Sequence, residues 1–305
     1  MNHWFLLATM APLLWAACNH IDKILLEKYF KEGGVGAVLI VSALASSLAI
    51  PFLYLANPAV LEVDSGNFDI IIVTAILDIV VLWAYLNAVQ KDDPSRVVVY
   101  YQLLPVLGIG TGWLFLGETI TGHQLIAMAI VLLGTTILSF DEAGGVVSFK
   151  WRTVGYMLLA VSAWAMELAI FKAIAIEEDP WRTLFWKHVV LVTLGVLMYA
   201  LISKYRKSFL AVMRENSTVA LGLAVSNEVL YMTGTILYGL AAMSAPVALV
   251  LLTETFQSVF VLIIAVALAW FLPQFATENV EIRHLARKAV AIGITGLGTY
   301  LLLVA

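Results

Sequence analysis

The stretch FDIIIVTAILDIVVLWAYLNAVQ, residues 68–90, decides the class of fold. A bilayer core about 30 Å thick needs about 20 predominantly apolar residues in one helix. This stretch supplies them, with Asp69 at its start and one further acid, Asp78, near its middle. Nine further runs read the same way, at roughly 4–26, 35–56, 94–116, 120–140, 153–176, 181–203, 218–242, 246–271 and 287–304. They are about twice the length of a barrel strand and do not alternate, so in lipid their backbone hydrogen bonds must close within helices. The expected fold is an all-α polytopic membrane protein with ten transmembrane helices.

Composition agrees. The 305 residues are 62% hydrophobic and 12% charged, with mean hydropathy +0.96, whereas a soluble globular chain carries about 45–50% apolar and about 25% charged residues. An aqueous enzyme and a disordered chain are excluded on that ground, and the net charge of −4 offers no basic footprint for nucleic acid. Cys18 is alone, so neither an internal disulfide nor a CxxC metal site is expected, and five scattered histidines give no ligand spacing. No Walker loop, metalloprotease motif or Ser–His–Asp arrangement stands out. The reading is of a protein without cofactor or metal and without an enzyme's motifs. No Lys or Arg precedes the first run and no small-x-small site follows it, so it reads as a retained helix and not a signal peptide.

The two longest loops, around Asn57–Asn67 and Ser203–Ser217, are too short to fold as soluble domains, and FDEAGGVVSFKWR (140–152) reads as a linker at the midpoint. Trp4, Trp151, Trp181 and Trp270 fall near run ends, where aromatic rings favour the headgroup level. Thirteen of the seventeen Lys and Arg lie on one set of loops, with acids and only Arg182 and Lys187 on the other. By the positive-inside rule both termini lie outside the cytoplasm.

The halves resemble each other. LLWAACNHIDK (13–23) and AVSAWAMELAIFK (160–172) pair Trp15 with Trp164 and Lys23 with Lys172, both at an offset of 149. AVQKDDPSRVVVYYQ (88–102) and AAMSAPVALVLLTE (241–254) pair Pro94 with Pro246 and Gln102 with Glu254 at an offset of 152. Five helices per half is an odd number, so the second half enters the membrane inverted. Inverted repeats support two packings of similar energy that open to opposite faces, with the substrate between the halves near mid-membrane. The expected organisation is one five-helix repeat over 1–140, a linker over 141–152, and a second, degenerate repeat over 153–305.

The stretch WLFLGETITGHQLIAMAIVLLGTTIL (113–138) resembles the end of an EamA repeat, in which a fourth helix closes on Leu116-Gly117-Glu118 and the next apolar stretch ends in glycine. Trp15 and the small-residue-Pro entry at Pro94 are similar to that family too. In the second half FLPQFATENVEIRHL (271–285) replaces the Gly-Glu signature. The resemblance implies the drug/metabolite transporter superfamily: two inverted repeats, secondary transport of small metabolites, and a cavity lined by helices one to four and six to nine. It also implies cytoplasmic termini, opposite to the loop charges, and residence in a bacterial or archaeal plasma membrane.

Ionisable residues within membrane spans are rare and mark function by default. Here they are Asp22 and Lys23 in the first run, Asp78 in the third, Glu167 and Lys172 in the sixth, Glu228 in the eighth and Glu254 in the ninth. Helical spacing groups Trp15, Cys18 and Asp22; Asp78 and Tyr85; Trp164, Glu167 and Phe171; Glu228, Tyr231 and Thr235; and Glu254, Gln257 and Ser258. Acids beside aromatic and hydrogen-bonding groups suit a small cationic or zwitterionic metabolite, or carboxyls that load and release protons. The plainer readings are ends that snorkel for Asp22, Lys23 and Lys172, helix–helix hydrogen bonds for Asp78 and Glu228, and a satisfied interfacial His188. Glu118 reads as a cap on the helix that follows it. Gly108 and Gly112, with Gly293, Gly296 and Gly298, read as close helix packing within a monomer or across a homodimer. The leading reading is a secondary transporter; the alternative is an intramembrane enzyme or lipid-handling protein using the same carboxylates.

Overall fold

Helices form on all ten apolar runs, and where a run departs from one straight helix, local residues account for it. The computed structural model describes residues 3–28, 34–62, 65–90, 97–142, 150–215, 218–271 and 282–304, and among these no strand occurs. The first run is helix α1 (His3–Lys28). The second is α2 (Gly34–Ala45), a 3-10 turn at Ser46–Leu48, and α3 (Ala49–Ala56). Pro51 has no N–H and its ring crowds the carbonyl four residues back, so the backbone tightens just ahead of it. Next come α4 (Ser65–Val89), a 3-10 segment at Val98–Leu103, and α5 (Leu104–Leu116) with Pro105 in its first turn. The series continues with α6 (Gly122–Glu142), α7 (Trp151–Glu177) and α8 (Pro180–Leu201).

The stretch 203–217, read as a loop from its charges, contains helix α9 (Ser203–Glu215). Lys204, Lys207 and Arg214 are exposed while Val212 is buried, the arrangement of an amphipathic helix with its apolar side inward. After α10 (Thr218–Ala242) the ninth run divides into α11 (Val247–Glu254) and α12 (Gln257–Phe271). The hydroxyls of Thr253 and Thr255 donate to the carbonyls of Val250 and Leu252 at 2.8 and 2.7 Å. The amides of Thr255 and Phe256 bond three residues back, so the α-helical ladder is interrupted immediately after Glu254. The last helix is α13 (Ile282–Val304). Among the described residues, five stretches are by length and composition sufficient to cross a membrane: His3–Asp22, Gly34–Ala56, Gly66–Val89, Trp151–Glu177 and Pro180–Leu201.

Helix pairing is regular. The most extensive packing joins α6 to α13, α1 to α10, and α4 to α7, with α5 against α11. Exchanging the first five runs for the last five converts the α1–α10 pair into α7–α4 and returns the other two pairs to themselves. Small residues permit the approach. A Cβ on Gly134 of α6 would lie 2.4 Å from Thr295 Oγ1 and 2.7 Å from the Ala291 carbonyl of α13, and one on Gly108 of α5 would lie 2.9 Å from the Ala248 Cα of α11. Ala8 and Ala11 of α1, Ala165 and Ala169 of α7, and Ala241 and Ala242 of α10 bring three helices into one core with Trp15, Tyr101 and Tyr238. Outside, Phe52, Leu55, Trp151 and Leu201 are more than 70% exposed. That much exposed apolar side chain on a closed helical body is a lipid-facing surface.

Candidate functional site

The α1 stripe lies against α10. Trp15 Nε1 donates to the Tyr231 carbonyl at 3.1 Å, and Cys18 Sγ donates to the Asn227 carbonyl at 3.4 Å. One turn on, Asn227 Nδ2 donates to Asp22 Oδ1 at 2.7 Å. Asp22 is therefore held inside the protein, not turned out at a helix end. The Lys23 side chain lies outside the described residues. Beside this seam Ser42 Oγ of α2 donates to Glu228 Oε1 of α10 at 2.5 Å.

These groups form one wall of a cavity of about 120 Å³. Its lining includes Trp15, Asp22, Asp78, Tyr85, Trp164, Glu228, Tyr231, Glu254 and Gln257, drawn from α1, α4, α7, α10, α11 and α12. Glu167 lines a smaller adjoining cavity of about 30 Å³ that shares Trp15, Asp78, Trp164 and Tyr231 with the larger one. A third, of about 40 Å³, shares Asp78, Glu228 and Tyr231 and reaches His188. The ten residues expected to bind substrate or protons thus converge on one connected set of walls, and α6 and α13 contribute to none of them. The aromatic rings are continuous: Trp15 to Trp164 at 5.5 Å, Trp164 to Tyr101 edge-on at 5.7 Å, and Tyr101 stacked on Tyr85 at 6.4 Å.

The acids are not equivalent. Lys187 of α8 places Nζ 2.8 Å from Asp78 Oδ2 and 2.6 Å from Glu167 Oε1, with its side chain only 3% exposed. Its charge, counted from sequence among the loop residues, belongs instead to the interior. Asp78 and Glu167, expected as isolated acids, share it. Burial of two carboxylates around one ammonium is tolerable because each charge has a hydrogen-bonded partner. Glu254 is the contrast. It is 1% exposed, and neither of its carboxylate oxygens has a hydrogen-bond partner. His188 Nδ1 lies 2.8 Å from the Leu184 carbonyl one turn back, which satisfies that nitrogen within its own helix.

At the opposite end of the core, Gly117 closes α5 in the left-handed conformation, at φ +65°. That turn lets the Glu118 amide bond to the Gly112 carbonyl and aims the Glu118 side chain across the molecule. A Cβ on Gly112 would meet Glu118 Oε2 at 2.7 Å, so the glycine leaves room for it. Glu118 Oε2 accepts from the Val247 amide at 2.7 Å, immediately after Pro246. The Glu118 cap therefore sits on α11 and not on the helix that follows it in sequence. Lys172 Nζ, expected to snorkel, is buried and donates to Glu118 Oε1 at 2.5 Å and to the Ala245 carbonyl at 2.6 Å. Of the remaining glycines, Gly298 packs on Val131 and Ile130 of α6, whereas Gly293 and Gly296 face open space. Pro94 lies outside the described residues.

Sequence reasoning missed Lys187, Ser42, Asn227 and Tyr101. Lys187 had one available signal: it stands two turns inside an apolar run, too deep for a loop charge. Ser42 and Asn227 carry no charge to draw notice. Among the described residues no three His, Cys, Asp or Glu side chains converge as metal ligands.

A helical body with a lipid-facing exterior and a polar, aromatic-walled cavity between its helices is a polytopic membrane protein. The model of the EamA-like transporter family matches residues 2–140, a little under half of the chain, and that part of the chain is similar to a family of membrane transporters. The crystal structure of a protein 16% identical in sequence superposes with a TM-score of 0.66 over 98% of this chain and 95% of the other. At that identity the likeness is one of fold. Comparison with curated proteins finds no match.

Proposed function

We propose that the protein is a secondary active transporter, an exporter or exchanger, of a small cationic or zwitterionic organic metabolite. It works by alternating access between repeats at 1–140 and 153–305 joined by 141–152, is coupled to protons through its buried carboxyls, and resides in a bacterial or archaeal plasma membrane. The observation that carries this reading is the convergence of acids and aromatic rings from both halves on one set of cavities. The exchange of helix pairs between the halves supports alternating access, since a two-fold arrangement has two related packings available. Cavity walls built from both halves change shape when the halves move against each other.

The test is flux. Purified protein in proteoliposomes is expected to accumulate organic cations or zwitterions from a metabolite panel, faster with an imposed pH gradient than without. Absence of flux across the panel, with and without the gradient, overturns the transport reading. Flux indifferent to the gradient overturns proton coupling alone.

A further inference from the structure

Asn227 Oδ1 aside, three oxygens of described residues in the cavity wall are acceptors without donors: both carboxylate oxygens of Glu254 and Oε1 of Gln257, on residues 1% and 4% exposed. They stand three residues apart across the interruption between α11 and α12. There the helix is broken, and both side chains line the cavity. Every other cavity acid has a donor from the protein. Asp22 receives Asn227, Glu228 receives Ser42, and Asp78 and Glu167 share Lys187. An ionised carboxylate buried without a partner is costly, so this cluster is complete only when a donor arrives from outside the chain.

The chemistry of that donor follows from what is left over. Oxygens without donors call for N–H groups, and a carboxylate among them calls for positive charge. The aromatic run Tyr85–Tyr101–Trp164 lines the same cavity, and ring faces attract cations. Among the described residues the buried lysines are already engaged, Lys187 between Asp78 and Glu167 and Lys172 on Glu118. We infer that Glu254 and Gln257 form the seat for a primary ammonium group, with the organic body of the ligand lying along the aromatic wall. This rests on the transport reading for its claim that the ligand is cargo, and it narrows that cargo from cationic or zwitterionic compounds to primary amines. A primary ammonium offers three N–H donors to the three oxygens. A quaternary ammonium offers none, and an amino acid brings a carboxylate for which the described residues hold no unengaged buried lysine.

The experiment is binding of 2-phenylethylamine, its N,N,N-trimethyl derivative and phenylalanine to purified full-length protein in lipid nanodiscs, read by tryptophan fluorescence and thermal midpoint. The amine is expected to bind about tenfold or more tightly than either comparator. Glu254→Gln, nearly isosteric, is expected to weaken it by about tenfold or more, the scale of one charge-assisted hydrogen bond. Glu62→Gln, at an exposed position, is expected to leave binding unchanged. A thermal midpoint for Glu254→Gln at or above that of wild type confirms that the loss is not unfolding. If this variant is unstable, Gln257→Leu serves in its place, with the same loss expected. Equal binding by the trimethyl compound, equal binding by the variants, or no binding of the amine overturns the seat. Flux of other metabolites that is insensitive to Glu254→Gln overturns the seat and leaves transport standing. Glu254-dependent binding without flux does the reverse.

Discussion

Lys187→Met removes one ammonium and strands two carboxylates. The Lys187 Nζ distances of 2.8 and 2.6 Å to Asp78 and Glu167 correspond to a gross attraction of about 6 kcal/mol for each contact at an effective dielectric of about 20. Much of this is offset by the desolvation of all three groups, and removing one member of a buried pair typically costs about 3–5 kcal/mol. Glu167 sets where in that range the variant falls, because its side chain is 5% exposed and cannot recover water, whereas that of Asp78 is 25% exposed and partly can. The expected loss is thus about 3–5 kcal/mol in reversible unfolding from mixed micelles, followed by tryptophan fluorescence. The triple variant Asp78→Asn, Glu167→Gln, Lys187→Met removes the stranded charges with the ammonium and is expected to regain about half of that loss or more. A single-variant loss below about 1 kcal/mol, or a triple variant no more stable than the single one, refutes the argument that the triad is one interdependent charge cluster.

Two further outcomes follow from the packing. Glu118→Ala removes both the cap on the Val247 amide and the partner of Lys172; a loss of about 3 kcal/mol in the same unfolding assay is expected, reduced when Lys172→Met is added. Gly108→Val places a side chain where a Cβ alone would lie 2.8 Å from Leu251 Cδ1 and 2.9 Å from the Ala248 Cα. It is expected to cost about 1–3 kcal/mol, whereas Gly110→Ala, with nothing within 4 Å of its Cβ, is expected to be neutral or stabilising by up to about 1 kcal/mol. Equal stabilities for these two variants refute the assigned contact between α5 and α11.

The parts of the site legible in the sequence were those whose cost is visible in one dimension. Asp78 and Glu254 interrupt apolar runs, and an acid there is conspicuous whatever it touches. What each touches depends on helices far away in the chain. Nothing near Asp78 announces Lys187, and the charge pattern of the loops gave that lysine a surface role. The Leu-Gly-Glu motif likewise marks a turn, because Gly117 tolerates the left-handed backbone. The amide that Glu118 caps lies 129 residues away, and only the folded chain brings it near. Helix α9 was hidden for another reason: its lysines and arginines were weighed as loop charge, and the apolar side running through Phe209 and Val212 went unread.

The pairing of α1 with α10 has a consequence for how the protein is made. Trp15 and Cys18 bond to carbonyls 216 and 209 residues further along, and Asp22 waits for Asn227, 205 residues on. At about 5–20 residues per second of synthesis, the first helix stands in the bilayer for roughly ten to forty seconds before its partner exists. Through that interval an acid and an indole N–H must be accommodated by lipid, water or the insertion machinery. The assembled cavity is therefore a late event of biogenesis, and a ribosome that stops before residue 227 leaves behind an N-terminal helix whose polar seam has nothing to close upon.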